Sequence, residues 1–165
     1  MKLESLHDLY LKELRNLYDG EKRILKAMPR MIESCNASEL RTALTGHFEE
    51  SKTHVSRLEQ VFRQHNGEPK AEICEGIKGI LAEGVAILPH SENRDVRDAA
   101  MIATCQKVEH YEAAAYDCMA NWARLLGHSD AVNIFEETLK EERGASEKLR
   151  DIGARLNAQS VRHAG

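Results

Sequence analysis

The sequence predicts an all-α protein, an antiparallel four-helix bundle with one long crossover that contains a short extra helix. Two observations predict the helical class. Among 165 residues only 10 are Gly and 3 are Pro, while Ala, Leu, Glu, Lys and Arg dominate. Apolar residues also recur at helical spacing over four long segments. At this length we expect a single domain that covers residues 1–165.

The first two long helices are predicted over residues 3–35 and 37–65. The apolar stripe of the first is Leu6, Tyr10, Leu14, Leu17, Ile24 and Met28, and Glu21 falls on the same stripe. Pro29 is expected to kink this helix near its end. The second helix is expected to begin with a capping box between Asn36 and Glu39. The sequence Asn66-Gly67-Glu68-Pro69 is expected to end it.

The connection from residue 67 to residue 93 is too long for a hairpin turn. It contains an amphipathic stretch, residues 71–88, between Pro69 and Pro89. We therefore predict a crossover helix that returns along the bundle, so that the second and third long helices run parallel. The third is predicted over residues 95–126, before Gly127, and the fourth over residues 129–156, with Ser129 as its cap. The tail, residues 157–165, is expected to fray.

Charge and hydropathy exclude several classes of function. The net charge is −4 and the basic residues are interspersed with acidic ones, which argues against nucleic-acid binding. No apolar stretch approaches the roughly 20 residues of a membrane span, and no secretion signal is visible. The four cysteines form no CxxC pair, which is typical of reduced thiols. A cytoplasmic protein is expected.

Four acidic residues predict the functional site. Glu21, Glu50, Glu112 and Glu142 lie 14 to 16 residues from helix-reversing turns near Asn36 and His128, so the bundle would bring them to one level. Carboxylates gathered in a core require counter-charge, which two divalent cations supply. The predicted metal ligands are Glu21, Glu50, His54, Glu109, Glu112 and Glu142. Mixed Glu and His ligation suits iron or manganese.

Several roles stay open at this stage. Glu50 and Glu112 are the expected bridging ligands, and His47 can be a ligand, a partner of a ligand or a satisfied core histidine. Tyr116 is the tyrosine expected nearest the metals. The spacing departs from the commonest di-iron pattern, because Glu50 and His54 are four residues apart rather than three and the fourth helix lacks a histidine near Glu142. No catalytic residue is assigned.

Four segments, residues 13–22, 47–59, 106–114 and 138–142, resemble the YciF-type stress-protein family of ferritin-like bundles. The resemblance implies a ferritin-like or rubrerythrin-like fold, a homodimer, a di-iron centre and an association with bacterial stress responses. Where relatives often place an acidic residue on the fourth helix, this chain has Ser146.

The leading hypothesis is a cytosolic protein that binds two iron or manganese ions and reacts with peroxide or oxygen, as a peroxidase, catalase-like or ferroxidase-like protein does. The alternative is a non-catalytic helical interaction module, or a dimeric structural bundle without metal. In that case the carboxylates would pair with cations such as Lys22, Lys52, Arg57 and Lys107. Iron storage, which requires a hollow multi-subunit shell, ranks lowest.

Overall fold

The structure is a computed structural model that describes residues 2–65, 67–87, 90 and 92–163. This part of the chain forms five helices: α1 (Leu6–Ser34), α2 (Ser38–Gln64), α3 (Glu75–Ile87), α4 (Arg94–Leu125) and α5 (Ser129–His163). The four long helices form a ferritin-like antiparallel bundle, and α3 is the short helix of the crossover between α2 and α4. The predicted fold class is confirmed.

Contacts at the two ends of the bundle fix the directions of the helices. The rings of His65, after α2, and His128, after α4, lie 4.4 Å apart between centroids. At the opposite end, the carboxylate of Asp98 in α4 accepts the backbone N–H groups of Asn36 and Ala37, which precede α2. Therefore α2 and α4 run parallel, and α3 lies on the connection that this arrangement requires.

The helix boundaries differ from the prediction in three places. The predicted cap of α2 by Asn36 and Glu39 is wrong, because Ala37 is the N-cap residue and Asp98 accepts the N–H groups there instead. The crossover helix starts at Glu75 rather than residue 71. The fourth long helix continues to His163 rather than ending near residue 156, so fraying from residue 157 is also contradicted.

The remaining predictions about the helix ends concern Pro29, Gly127 and residues that the structure does not describe. Pro29 lies inside α1, which continues beyond it. Gly127 ends α4 with a positive φ of 78°, a conformation that favours glycine. Asn66 at the end of the second helix, Leu88 and Pro89 at the end of the crossover helix, and the last two residues of the tail lie outside the described residues.

Two apolar clusters fill the bundle and leave a polar layer between them. One cluster, at the end where α1 begins, includes Tyr10, Leu14 and Phe135. The other includes Ile24, Met28 and Leu44. Burial of each large apolar side chain contributes about 1.5–3 kcal/mol, so these clusters offset the cost of burying the polar layer. None of the described helices has the length and apolar character needed to cross a membrane.

Candidate metal centre

The polar layer consists of carboxylate and imidazole side chains that are almost fully buried. Its members, each at most 6% exposed, are Glu21 on α1, His47 and His54 on α2, Glu109 and Glu112 on α4, and Glu142 on α5. Five of the six residues predicted to bind metal therefore lie together in the core. The exception among the predicted ligands is Glu50.

The first group of converging donor atoms comprises Glu21, His54 and Glu142. His54 Nδ1 lies 3.1 Å from Glu21 Oε1 and 3.0 Å from Glu142 Oε1. Neither contact has the geometry of a hydrogen bond. The three residues offer donor atoms within 4.8 Å of one another, which is close enough to bind one common cation.

The second group comprises His47, Glu109, Glu112 and Glu142, whose donor atoms also lie within 4.8 Å of one another. His47 Nε2 lies 3.3 Å from Glu109 Oε1. His47, whose role the sequence left open, thus faces the cluster. Glu142 belongs to both groups, so it lies between two potential cation positions.

Glu50 lies at the edge of the cluster and outside both groups. Its side chain is 49% exposed, and its Oε2 atom lies 3.6 Å from His47 Nδ1. The buried residues of α2 include His47, Ser51 and His54, which shows that the centre of its core face passes beside Glu50. The expectation that Glu50 bridges two metals does not match this position.

Eight nitrogen and oxygen atoms of the cluster are buried without a hydrogen-bond partner. They are Glu21 Oε2, His47 Nδ1, His54 Nδ1, Glu109 Oε2, both carboxylate oxygens of Glu112 and both of Glu142. A buried polar atom without a partner is rare in folded proteins, because each one costs about 1–3 kcal/mol. Carboxylate oxygens and imidazole nitrogens are common metal ligands, so the chemistry of this donor set fits the binding of a metal ion.

The electrostatics of the cluster are those of carboxylates that lack counter-charge. Burial, followed by the negative charges of Glu21, Glu142 and Glu109, raises the pKa of Glu112 well above its ordinary value. Burial is also the main reason why the pKa of Glu109 is raised. Both groups therefore favour the protonated form unless a cation lies beside them.

His54 is the exception, because it acts as a positive group in the cluster. Burial favours its neutral form, but contacts with Glu142 and Glu21 outweigh burial and raise its pKa to about 11. Burial opposes ionisation of Glu142 too, yet the contacts with His54 and Glu109 lower the pKa of Glu142. One imidazolium beside Glu21 and Glu142 thus supplies part of the positive charge that the cluster requires.

Residues outside the predicted set orient the cluster. Glu141 Oε2 lies 2.8 Å from His54 Nε2, and Arg57 pairs with the same carboxylate. The hydroxyl of Tyr116 donates to Glu21 Oε1 at 2.7 Å, so the tyrosine expected nearest the metals does contact a predicted ligand. Sequence reasoning missed Glu141 as a partner of His54, although its position next to Glu142 was visible.

Two polar residues on the outer side of the cluster lie apart from it. The hydroxyl of Ser146, on the fourth long helix, is 3.4 Å from His110 Nε2. His110 is exposed. Neither residue belongs to the two groups of donor atoms.

A cleft between α2 and α5 leads from the surface to the cluster. Its volume is about 410 Å³, and its lining includes His47, Glu50, Glu141 and Gly144. The glycine and the neighbouring Ala145 leave the floor of the cleft open on the side of α5. Of the clustered residues, His47 lines the cleft, so the cleft reaches the edge of the cluster.

The chain is similar to proteins of one family over nearly its whole length. The family model described as domain of unknown function DUF892 matches residues 5–162. Protein YciF of Escherichia coli strain K12 is 33% identical over 153 residues, which are 92% of each chain.

Three solved structures share the fold. YcfI of Rhodopseudomonas palustris is 38% identical with a TM-score of 0.88, over 90% of this chain and 95% of that chain. The E. coli stress protein YciF is 31% identical with a TM-score of 0.90, over 94% and 99%. A protein of Xanthomonas campestris at 17% identity, with a TM-score of 0.78 over 97% and 99%, is similar in fold alone.

Proposed function

This chain belongs to the YciF-like DUF892 family, and we propose that it holds two iron or manganese ions in the buried cluster and reacts there with peroxide or oxygen. One observation carries the proposal. Eight buried nitrogen and oxygen atoms on two histidines and four glutamates lack a hydrogen-bond partner. Cations would satisfy these atoms together. A role in oxidative or general stress follows from this chemistry and from the description of the E. coli relative as a stress protein.

The charge of the cluster supports two ions rather than one. Its four glutamates carry four negative charges when ionised, which two divalent cations balance. Glu142 is the bridging candidate, because it belongs to both groups of donor atoms. Glu21 and His54 would complete one ion's ligands, and His47, Glu109 and Glu112 would complete the other's. Bound iron or manganese would supply the reversible one-electron changes that reduction of peroxide or oxygen requires.

The residues of the chain prepare the cluster for cations. The contact of His54 Nε2 with Glu141 at 2.8 Å directs Nδ1 toward Glu21 and Glu142. In the absence of metal, the contacts with Glu142 and Glu21 favour a proton on the His54 ring, because they raise its pKa. A cation would take the place of this proton, so metal binding would release it. Tyr116 holds the Glu21 carboxylate in position by its hydrogen bond.

The shape of the site favours a small oxidant. The buried donors are almost inaccessible from the surface, and the approach is a cleft of about 410 Å³. The donors are at most 6% exposed, so the fewest side chains have to move for a molecule as small as peroxide or oxygen to reach them. We therefore propose that the substrate class is limited to small oxidants.

The test compares metal-loaded protein with Glu142→Gln. The wild type should bind two ions per chain and consume peroxide, or oxidise Fe²⁺, faster than buffer. Glu142→Gln should lose at least one ion and most of the activity, because this residue serves both positions. Glu136→Gln is the matched control on the same helix, since Glu136 is 52% exposed and pairs with Arg124. A fully loaded wild type without activity above buffer would refute the chemistry and leave metal binding intact.

The second candidate is a non-catalytic helical bundle, favoured by the partial neutralisation that His54 provides. Under this alternative, four basic side chains were expected to pair with the clustered carboxylates, but each of them contacts a residue outside the cluster. Lys22 lies over the Tyr18 ring, Lys52 pairs with Glu49, Arg57 pairs with Glu137 and Glu141, and Lys107 pairs with Glu83. A protein that stays metal-free after reconstitution with Fe²⁺ and Mn²⁺ would favour this alternative. A homodimer in the cytoplasm is proposed under either hypothesis, and light scattering tests the assembly.

A further inference from the structure

The end of the bundle where α1 begins gathers three histidines from three separate parts of the chain. His7 lies in the first turn of α1, His65 follows α2, and His128 lies between α4 and α5. Glu21 lies fourteen positions after His7 on α1. At 1.5 Å per residue this is about 21 Å. The histidines are therefore remote from the buried glutamates, and the proposed function does not use them.

We propose that His7, His65 and His128 form a second metal site, which binds a divalent transition-metal ion of the borderline class, such as Zn²⁺, through three imidazole nitrogens. Imidazole is a common ligand of such ions. The proposal is independent of the proposed function, because no residue is shared between the two sites.

The rings of His65 and His128 have the spacing of a metal-bound pair, and His7 lies slightly too far from both. The centroid distances are 4.4 Å for His65 and His128, 6.0 Å for His7 and His128, and 6.1 Å for His7 and His65. A metal–nitrogen distance of about 2.1 Å places each centroid about 3.2 Å from the ion, so ligand angles of 90–109° separate centroids by about 4.5–5.2 Å. The pair already has this separation, and His7 has to approach by about 1 Å. Because His7 is exposed in the first helical turn, its side chain has room to turn inward.

His128 offers a nitrogen atom without a partner, and His65 would exchange a hydrogen bond for the metal. His128 Nε2 is buried and has no hydrogen-bond partner. His65 Nε2 lies 3.2 Å from the hydroxyl of Tyr10, and the Tyr10 ring packs against both imidazoles. Tyr10 thus holds the pair in place. A cleft of about 280 Å³, lined by His65, His128 and Asp130 among others, leaves room for a water or carboxylate that completes the coordination.

The lowered pKa values of His65 and His128 also favour metal binding. Burial, and then the positive charges of His128 and His7, lower the pKa of His65. Burial and the charge of His7 lower the pKa of His128. Both rings are therefore neutral near pH 7, and neutral imidazole is the form that binds metal.

The experiment is a Zn²⁺ titration of tag-free Glu142→Gln protein by calorimetry, in which the buried cluster is impaired. Apart from any ion that the buried cluster of this variant retains, we expect one Zn²⁺ equivalent whose affinity falls at least tenfold in His7→Asn, in His65→Asn and in His128→Asn. The control is His90→Asn, at an exposed histidine, which should leave the affinity unchanged. Imidazole NMR signals of the three histidines should shift together during the titration.

His7→Asn decides the test if the other two variants fold poorly, because His7 is exposed in the first turn of α1. Circular dichroism verifies the fold of each variant. Zn²⁺ binding of equal affinity in His7→Asn, or no shift of the three imidazole signals at saturation, would overturn the proposal.

Discussion

Replacement of Glu112 by Gln should stabilise the metal-free protein at pH 7.5 and weaken its response to metal. Glu112 is 1% exposed and both of its carboxylate oxygens lack hydrogen-bond partners. Burial, followed by neighbouring negative charges, raises its pKa well above the ordinary value. The metal-free fold must therefore either protonate Glu112 or bury its charge, whereas glutamine has a similar shape and no charge.

The magnitude follows from proton linkage. Protonation at pH 7.5 of a carboxyl group whose unfolded pKa is about 4.3 costs up to about 4 kcal/mol. Burial of the amide without partners costs about 1–3 kcal/mol. We expect Glu112→Gln to raise the free energy of unfolding of the metal-free protein by about 2 kcal/mol at pH 7.5. A raised carboxyl pKa stabilises the fold fully below the unfolded pKa and loses this contribution as pH rises through the folded pKa. The advantage of the variant should thus shrink by up to about 3 kcal/mol between pH 7.5 and pH 5.

Urea unfolding of chelator-treated protein at both pH values measures these differences. Glu49→Gln is the control, because Glu49 is 63% exposed and pairs with Lys52 on the surface. Its effect should stay below about 0.5 kcal/mol at both pH values. With Mn²⁺ at a hundred times its dissociation constant, the wild type should gain about 2.7 kcal/mol and Glu112→Gln much less. Equal destabilisation of Glu112→Gln at pH 5 and pH 7.5 would refute the reasoning.

Three further predictions concern the surroundings of the cluster and the crossover. Tyr116→Phe removes a buried 2.7 Å hydrogen bond to a carboxylate and should cost about 1.5–3 kcal/mol in urea unfolding; an unchanged midpoint would contradict this role. Glu141→Gln should weaken Mn²⁺ binding about 10–100-fold in a calorimetric titration while two ions still bind at saturation, and unaltered affinity would exclude an orienting role. Gly84→Ala should lower the melting temperature, because its Cβ would lie 2.5 Å from Thr104 Cγ2; Gly79→Ala on the same helix meets nothing within 4 Å and should raise it.

The position of the site along the bundle axis was predictable, because an α-helix rises by a constant distance per residue. Glu21 and Glu142 lie at similar distances from their turns, and burial at the centre of the bundle follows from that regularity. The rotation of each helix about its own axis, which decides which residues face the core, is harder to predict. On α2 the core face passes through His47, Ser51 and His54, so Glu50 lies on the flank. The heptad spacing of Ser51 between Leu44 and Leu58 was the signal that could have identified this face.

Contacts between distant segments were beyond sequence reasoning. Asn36 and Glu39 have the local pattern of a cap, but Asp98, 62 residues from Asn36, accepts the N–H groups there. A partner supplied by tertiary packing replaces the local one. Likewise, the approach of Glu141 to His54 depends on how α5 is rotated against α2, which no local pattern determines.

The metal content of the purified protein tests the central claim most directly. Protein without an affinity tag, from unsupplemented cells and never exposed to a chelator, should contain close to two iron or manganese ions per chain by elemental analysis. Glu112→Gln and Glu142→Gln samples prepared in parallel should contain fewer. A wild type that remains below one tenth of an ion per chain, both as purified and after anaerobic reconstitution with Fe²⁺ and Mn²⁺, would contradict the account.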